Sequence, residues 1–233
     1  RLEQLAAPVV DQPSQLYKDS FTVKVTIPKG CTLRYTSDGS LPTLDNGQTS
    51  KDGVFEIQPQ FYTWGNEVWV WGNYDYRFRL FADDKLPSTV TTRSFIYKEY
   101  DYYLPVVSVV TDQNFIYSQE IGVFSIGPNG RPGNGQSQKC NWNMHWERPV
   151  NFSYLDENGQ MVINQDVNLE MCGGWSRAWT PHAFKLKGSK EMGGNKDLLY
   201  PFFKDKPYIR NRTLQIRNGG NDTQCRIKDP ALQ

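Results

Sequence analysis

Tyr35-Thr36-Ser37-Asp38-Gly39-Ser40-Leu41-Pro42-Thr43 is the stretch on which the fold turns. Its first residues continue Thr32-Leu33-Arg34, where polar and apolar side chains alternate with the period of a half-buried strand. Ser37 to Ser40 then favour a tight turn. An Asp side chain bonds backbone N–H groups two residues on, and Gly adopts φ > 0 without a Cβ clash. Pro42 removes a ladder donor and helps end the strand. In this reading Asp38 is a turn former, not a catalyst.

Outward from this turn the pattern repeats. Ala7-Pro8-Val9-Val10 reads as a short opening strand, and Phe21 to Ile27 alternates strictly, with Phe21, Val23, Val25 and Ile27 on one face. Pro28-Lys29-Gly30 turns the chain into the strand at 32–36. Residues 54–57, 76–82 and 89–97 supply three more. Short strands separated by turn signals at this spacing predict a β-sandwich.

The bulk properties exclude several classes. With 233 residues, one large or two small domains are expected. A net charge of +1 offers no broad electrostatic case for nucleic acid or an anionic membrane surface. No apolar run approaches the ~18 residues of a membrane span. The chain opens Arg1-Leu2-Glu3, read as the start of a processed or excised piece of a longer protein. Its four cysteines, Cys31, Cys140, Cys172 and Cys225, show no metal-ligand spacing, and no metal is expected. Spacing leaves open both a Cys140–Cys172 disulfide and four free thiols.

Between the predicted strands lies Phe61-Tyr62-Thr63-Trp64-Gly65-Asn66-Glu67-Val68-Trp69-Val70-Trp71-Gly72-Asn73-Tyr74-Asp75-Tyr76. If residues 68–71 are extended, Trp69 and Trp71 share a face, roughly 6.5–7 Å apart. Exposed, Trp64, Trp69, Trp71 and Tyr74 suit stacking on successive sugar rings, with Asn66, Asn73 and Asp75 as polar partners. Buried, they are core or an interdomain seam.

Residues 98–103 read as a linker. Beyond it, the nearly continuous apolar run 104–111 reads as a buried strand, 121–126 as another strand, and residues 127–145 as a long loop without strand or helix pattern. Residues 148–155 and 161–170 flank a hairpin turn at Asp156-Glu157-Asn158-Gly159-Gln160. Strands at 184–187 and 213–216 and a brief helical turn at 198–203 complete the pattern. His145 and His182 are far apart, with no neighbouring ligand pattern, and Gly173-Gly174 lacks the rest of a phosphate-loop motif. Spacing nominates no carboxylate pair among Glu147, Asp156, Glu157, Asp166 and Glu170.

Two resemblances carry expectations further. The opening strand, the alternating strand, the 35–43 turn and Thr91-Thr92-Arg93-Ser94-Phe95 together resemble the immunoglobulin-like module at the C-terminus of chitobiases and β-hexosaminidases. That module recurs in secreted bacterial proteins as an accessory domain without catalytic residues. Leu104-Pro105-Val106-Val107-Ser108, Ile121-Gly122-Val123-Phe124, Trp146-Glu147-Arg148-Pro149-Val150, the 156–160 hairpin, Gly173-Gly174-Trp175-Ser176-Arg177, Tyr200 to Asp205 and Ile216 to Asp222 resemble the opening of the CotH family. Those spore-coat-protein-H-like proteins form an atypical protein kinase.

The implied organisation is mainly β. An immunoglobulin-like β-sandwich spans residues 1–98, and a β-rich (α+β) N-terminal part of a CotH-like domain spans 99–233. A family Pro-x-Lys-Ser segment corresponds to Thr180-Pro181-His182-Ala183, so His182 stands at the lysine position. Arg177, Lys185 and Lys187 are the remaining candidates for a nucleotide-phosphate contact. The family's metal-binding carboxylates lie downstream, beyond the Lys228-Asp229-Pro230-Ala231 segment. ATP and Mg²⁺ are therefore expected as cofactors only if that part is present and active. The expected role is a non-catalytic portion of a secreted or cell-envelope protein that spaces, docks or binds glycan. Its expected partner is a surface polysaccharide or an envelope protein.

Overall fold

The computed structural model describes residues 2–191 and 194–220. Asn221, Asp222, Cys225 and the 228–231 segment lie outside the described residues. The fold is mainly β, with 46% strand against 6% helix and several sheets. The described residues form two compact units, one of 2–111 and 151–164, the other of 112–150 and 165–220. The sequence had placed its linker at 98–103.

The first unit contains β1 (Gln15–Tyr17), β2 (Phe21–Lys24), β3 (Thr32–Thr36), β4 (Gln48–Ser50), β5 (Val54–Ile57), β6 (Gln60–Trp64), β7 (Glu67–Trp71), β8 (Tyr74–Phe81), β9 (Thr91–Tyr97) and β10 (Val106–Val110). Five strands form one sheet in the order β1-β9-β8-β3-β4, while β2 pairs with β5. Both groups contribute to one core: Val23, Ile57, Leu33, Phe78 and Phe95 have no solvent exposure. Burying each such side chain is worth about 1.5–3 kcal/mol. Alternation explains the choice of residues, since Tyr74, Tyr76 and Phe78 share one face of β8. Tyr74 and Tyr76 stack at 6.0 Å, and Tyr76 and Phe78 at 5.7 Å.

The 35–43 turn behaves as its residues predict. Asp38 Oδ1 accepts hydrogen bonds from the Ser40 N–H (3.0 Å) and hydroxyl (2.6 Å). The Ser40 hydroxyl is the main reason the Asp38 carboxyl sits below its ordinary range. Gly39 has φ +80, and a Cβ there would collide with the Thr111 carbonyl. The Gly39 carbonyl accepts from Arg77 Nη1 at 2.9 Å.

The second unit opens with α1 (Gln113–Tyr117), a five-residue helix absent from the sequence reading, whose first turn is capped by Asp112. Then follow β11 (Ile126–Gly133) and β12 (Gln136–Cys140). Next come β13 (Glu147–Leu155) and β14 (Met161–Met171), which contribute residues to both units. The described residues close with β15 (Phe184–Gly188), β16 (Leu198–Leu199), β17 (Arg210–Asn211) and β18 (Thr213–Ile216). In the first unit β10 runs antiparallel to β13, with Val106 opposite Leu155. In the second, Leu169, Leu186 and Leu214 align across β14, β15 and β18.

Four expectations are corrected. Residues 121–125 are not a strand, because the Gly122, Val123 and Phe124 N–H groups bond back to the carbonyls of Ser118, Phe115 and Ile116. Residues 127–145 are not a patternless loop but carry the β11–β12 hairpin and a 3-10 turn at Asn141–Asn143. Two buried asparagines hold that region: Asn141 Nδ2 donates to the Gln119 and Gly122 carbonyls, and Asn143 Nδ2 to those of Arg131 and Gly133. Residues 198–203 form no helical turn, since Leu198 and Leu199 pair with Asn211 and Arg210. Finally, β10 is not fully buried, with Val107 exposed.

Candidate functional site

The aromatic insert folds as a two-stranded ribbon, β6 against β7, with Gln60 opposite Trp71, Tyr62 opposite Trp69 and Trp64 opposite Glu67. This register leaves a two-residue loop, Gly65-Asn66. Gly65 has φ +61 while Asn66 keeps a negative φ, the signature of a type II′ turn with glycine first. That turn matches the right-handed twist of the flanking strands, so the register follows from the loop.

Side chains on paired strands alternate between faces, and directly opposed residues share one. One face of the ribbon therefore carries Tyr62, Trp64, Trp69 and Trp71. All four are open to solvent, at 68%, 76%, 60% and 69% exposure. The other face carries Phe61, Thr63, Val68 and Val70, of which Phe61 and Val68 are also exposed. The buried alternative for Trp64, Trp69 and Trp71 does not hold.

The polar candidates are spread along the ribbon. Asn66 sits in the turn at its tip. Asn73 and Tyr74 sit with Trp71 at its foot, where a pocket of about 280 Å³ is lined by Ser37, Gln60, Trp71, Gly72, Asn73, Tyr74 and Tyr76. Two bonds fasten the foot to the sheet: the Tyr17 hydroxyl donates to the Gly72 carbonyl (2.6 Å), and the Tyr74 hydroxyl to the Gln58 carbonyl (2.8 Å). Burial, with Tyr35 and Tyr74 nearby, pushes the Tyr76 phenol up to about 12, so it stays protonated as a pocket wall. Asp75 belongs elsewhere. It lies opposite Ser94 on the reverse face of β8, and burial raises its carboxyl, partly offset by the Ser94 hydrogen bond.

Tyr62, Gln60, Tyr76 and Ser37 were not among the residues nominated from sequence. The signal for Tyr62 was present: a two-residue loop at Gly65-Asn66 places it opposite Trp69. Ser37 and Tyr76 reach the pocket from the 35–43 turn and from β8, which local pattern does not reveal.

The phosphate-contact candidates lie in the second unit. Arg177 Nε donates to the Gly173 carbonyl (2.9 Å) and Nη1 to that of Trp142 (3.3 Å). Lys187 pairs with Glu147 (2.8 Å) and with Glu170, whose other oxygen meets His145 Nδ1 at 3.0 Å. Burial alone would raise the Glu170 carboxyl, but the bonds from Lys187 and His145 hold it below the ordinary range. Lys185 stands opposite Glu170 on β15. His182 packs its ring on Phe124 (4.6 Å) and Trp142 (5.5 Å), with Nδ1 2.9 Å from the Arg177 carbonyl.

The second unit also has a cleft of about 1250 Å³, whose walls include Gly173, Gly174, Trp175, Phe203, Tyr208 and Arg217. Arg177, Lys185 and Lys187 are not among its lining residues. Among the described residues no three His, Cys, Asp or Glu side chains gather as a metal site, and no helix is long and apolar enough to cross a membrane. Cys31, Cys140 and Cys172 are free thiols, so the Cys140–Cys172 pairing is not made. No protein-family model matches the chain, and comparison with curated proteins finds no relative.

Proposed function

We propose that this chain is a carbohydrate-binding accessory portion of a secreted or cell-surface protein, with the β6–β7 ribbon as its platform. The observation that carries the reading is the row of Tyr62, Trp64, Trp69 and Trp71 on one solvent-exposed face. Leaving four large rings in water forgoes the stabilisation their burial would bring, and contiguous exposed apolar patches mark binding surfaces. A flat aromatic face suits a sugar ring, whose axial C–H groups are apolar and whose rim of hydroxyls is polar. Gln60, Asn66 and Asn73 supply amide partners at the two ends of the ribbon.

The accessory role fits the likeness of residues 1–98 to the chitobiase-type module. The proposal assigns no catalytic residue. Its test is a tryptophan-fluorescence titration of the chain with soluble glucan, mannan and xylan, alongside Trp69→Ala and Trp71→Ala. Each substitution is expected to weaken binding about tenfold, equivalent to about 1.4 kcal/mol. A flat titration with every polymer, or unchanged binding by both variants, overturns the reading.

A further inference from the structure

We infer that the pocket at the foot of the ribbon receives the terminal unit of an uncharged glycan chain, the preceding units lying along the aromatic face; this rests on the carbohydrate reading above. Trp71 belongs to both features, since it shares the ribbon face with Trp69 and also lines the pocket. A bound chain can therefore pass from platform to pocket without leaving an aromatic surface.

Size and charge define the class of unit. At about 280 Å³ the pocket lies near the lower end of small-ligand sites, roughly 300 Å³, which suits a single sugar. None of its lining residues is Asp, Glu, Lys or Arg. A uronate, a sulfated sugar or a free amino sugar would enter without a counter-charge, which is costly in a partly desolvated site. The one charged side chain on the aromatic face is Glu67, beside Trp64 at the opposite end, and it repels anions.

The pocket's hydrogen-bonding inventory matches a hydroxyl-rich unit. The Tyr74 proton is committed to the Gln58 carbonyl, and Gln60 Nε2 approaches Tyr74 Oη at 3.4 Å. Gln60 Oε1 is then an acceptor for a ligand. Asn73 Oδ1 holds the Tyr97 N–H at 3.1 Å, which leaves its Nδ2 to donate, and Ser37 Oγ does either. Sugar hydroxyls need both kinds of partner.

The track also stops here. Beyond Trp71 the wall is Tyr76, fixed between Tyr74 and Phe78 by stacking, with Ser37 from the turn after β3 beside it. Gly72 is packed so closely against the Tyr17 hydroxyl (2.5 Å from an ideal Cβ) and Tyr97 Cβ (2.9 Å) that no side chain fits between them. On this proposal the terminal unit of a polymer following the ribbon rests against Tyr76.

The experiment is a stoichiometric fluorescence titration with soluble neutral glucan, mannan and xylan, each before and after partial hydrolysis that multiplies chain ends at constant mass. Polygalacturonate serves as the anionic control. Capacity per gram is expected to rise in proportion to chain ends, and Gln60→Ala combined with Ser37→Ala is expected to weaken a short neutral oligosaccharide about tenfold. Constant capacity per gram, with Trp69→Ala still weakening binding about tenfold, overturns chain-end recognition and leaves the platform standing. Preference for polygalacturonate overturns the uncharged class. No binding to any polymer removes both readings.

Discussion

Two neighbouring stretches of the first unit alternate aromatic residues, Gln60–Trp71 and Tyr74–Phe81, and they meet opposite fates. In β8 the rings of Tyr76 and Phe78 pack against Phe55, and Phe78 has no solvent exposure. In β6 and β7 the rings of Tyr62, Trp64, Trp69 and Trp71 remain in solvent. Composition and periodicity are nearly the same. The difference is that β8 lies inside a five-stranded sheet whose face is covered by residues of β2 and β5, whereas β6 and β7 pair only with each other. A two-stranded ribbon has no second layer to bury its aromatics, and alone it is marginal in water. Aromatic density is thus a packing feature in one stretch and an exposed surface in the next.

The comparison can be broken most directly by stability measurements. Phe78→Ala should cost about 3–5 kcal/mol in urea unfolding, as for other fully buried Phe residues. Trp69→Ala should stay within about 0.5 kcal/mol of the parent protein, as exposed substitutions do. A Trp69→Ala loss as large as that of Phe78→Ala would show the ribbon buried in solution. Next in size is Gly65→Val, which forces a β-branched residue to φ +61 at a local cost of about 1–2 kcal/mol. It should disturb the ribbon and the proposed glycan binding while leaving the thermal midpoint of the main sheet in place; amide exchange confined to residues 60–71 checks this.

A smaller effect should appear in alkali. Burial is the main reason the Tyr17 and Tyr76 phenols are pushed from 10.0 up to about 12. The unfolded chain therefore releases these protons first, so stability is intact below pH 10 and falls between pH 10 and 12. Chemical denaturation across that window reads the slope, and Tyr76→Phe should flatten it. The smallest effect belongs to Asp75, on the reverse face of β8. Burial raises its carboxyl above the ordinary 3.8, so its contribution is present below that pH and is lost as pH rises through the folded value. Asp75→Asn should raise the melting temperature slightly at neutral pH; a fall would mean that the carboxylate is used.

Much of the fold was legible where one face of a strand is buried. Val23 and Val25, Leu33, and Phe78 and Leu80 are spaced two apart or sit on alternating strands, and they form the core that alternation predicts. The 156–160 turn also follows from its residues, with Asp156 Oδ1 accepting from the Asn158 and Gln160 N–H groups. The 127–140 hairpin was not legible, because its order comes from buried asparagines that bond distant backbone carbonyls and leave no periodic trace. For the candidate site, the tryptophans could be nominated from sequence, but their exposure could not.

By itself, then, the sequence determined a mainly β chain, the turn at Asp38–Gly39 and an aromatic insert able to place Trp69 and Trp71 on one side. These are local consequences of alternation and of turn chemistry, each settled by residues a few positions apart. Only the tertiary structure decided that the insert stands uncovered and that Ser37 and Tyr76 close a pocket against Trp71. Burial depends on what else packs nearby, and neither that nor the meeting of residues 37 and 71 is written in any local stretch of chain.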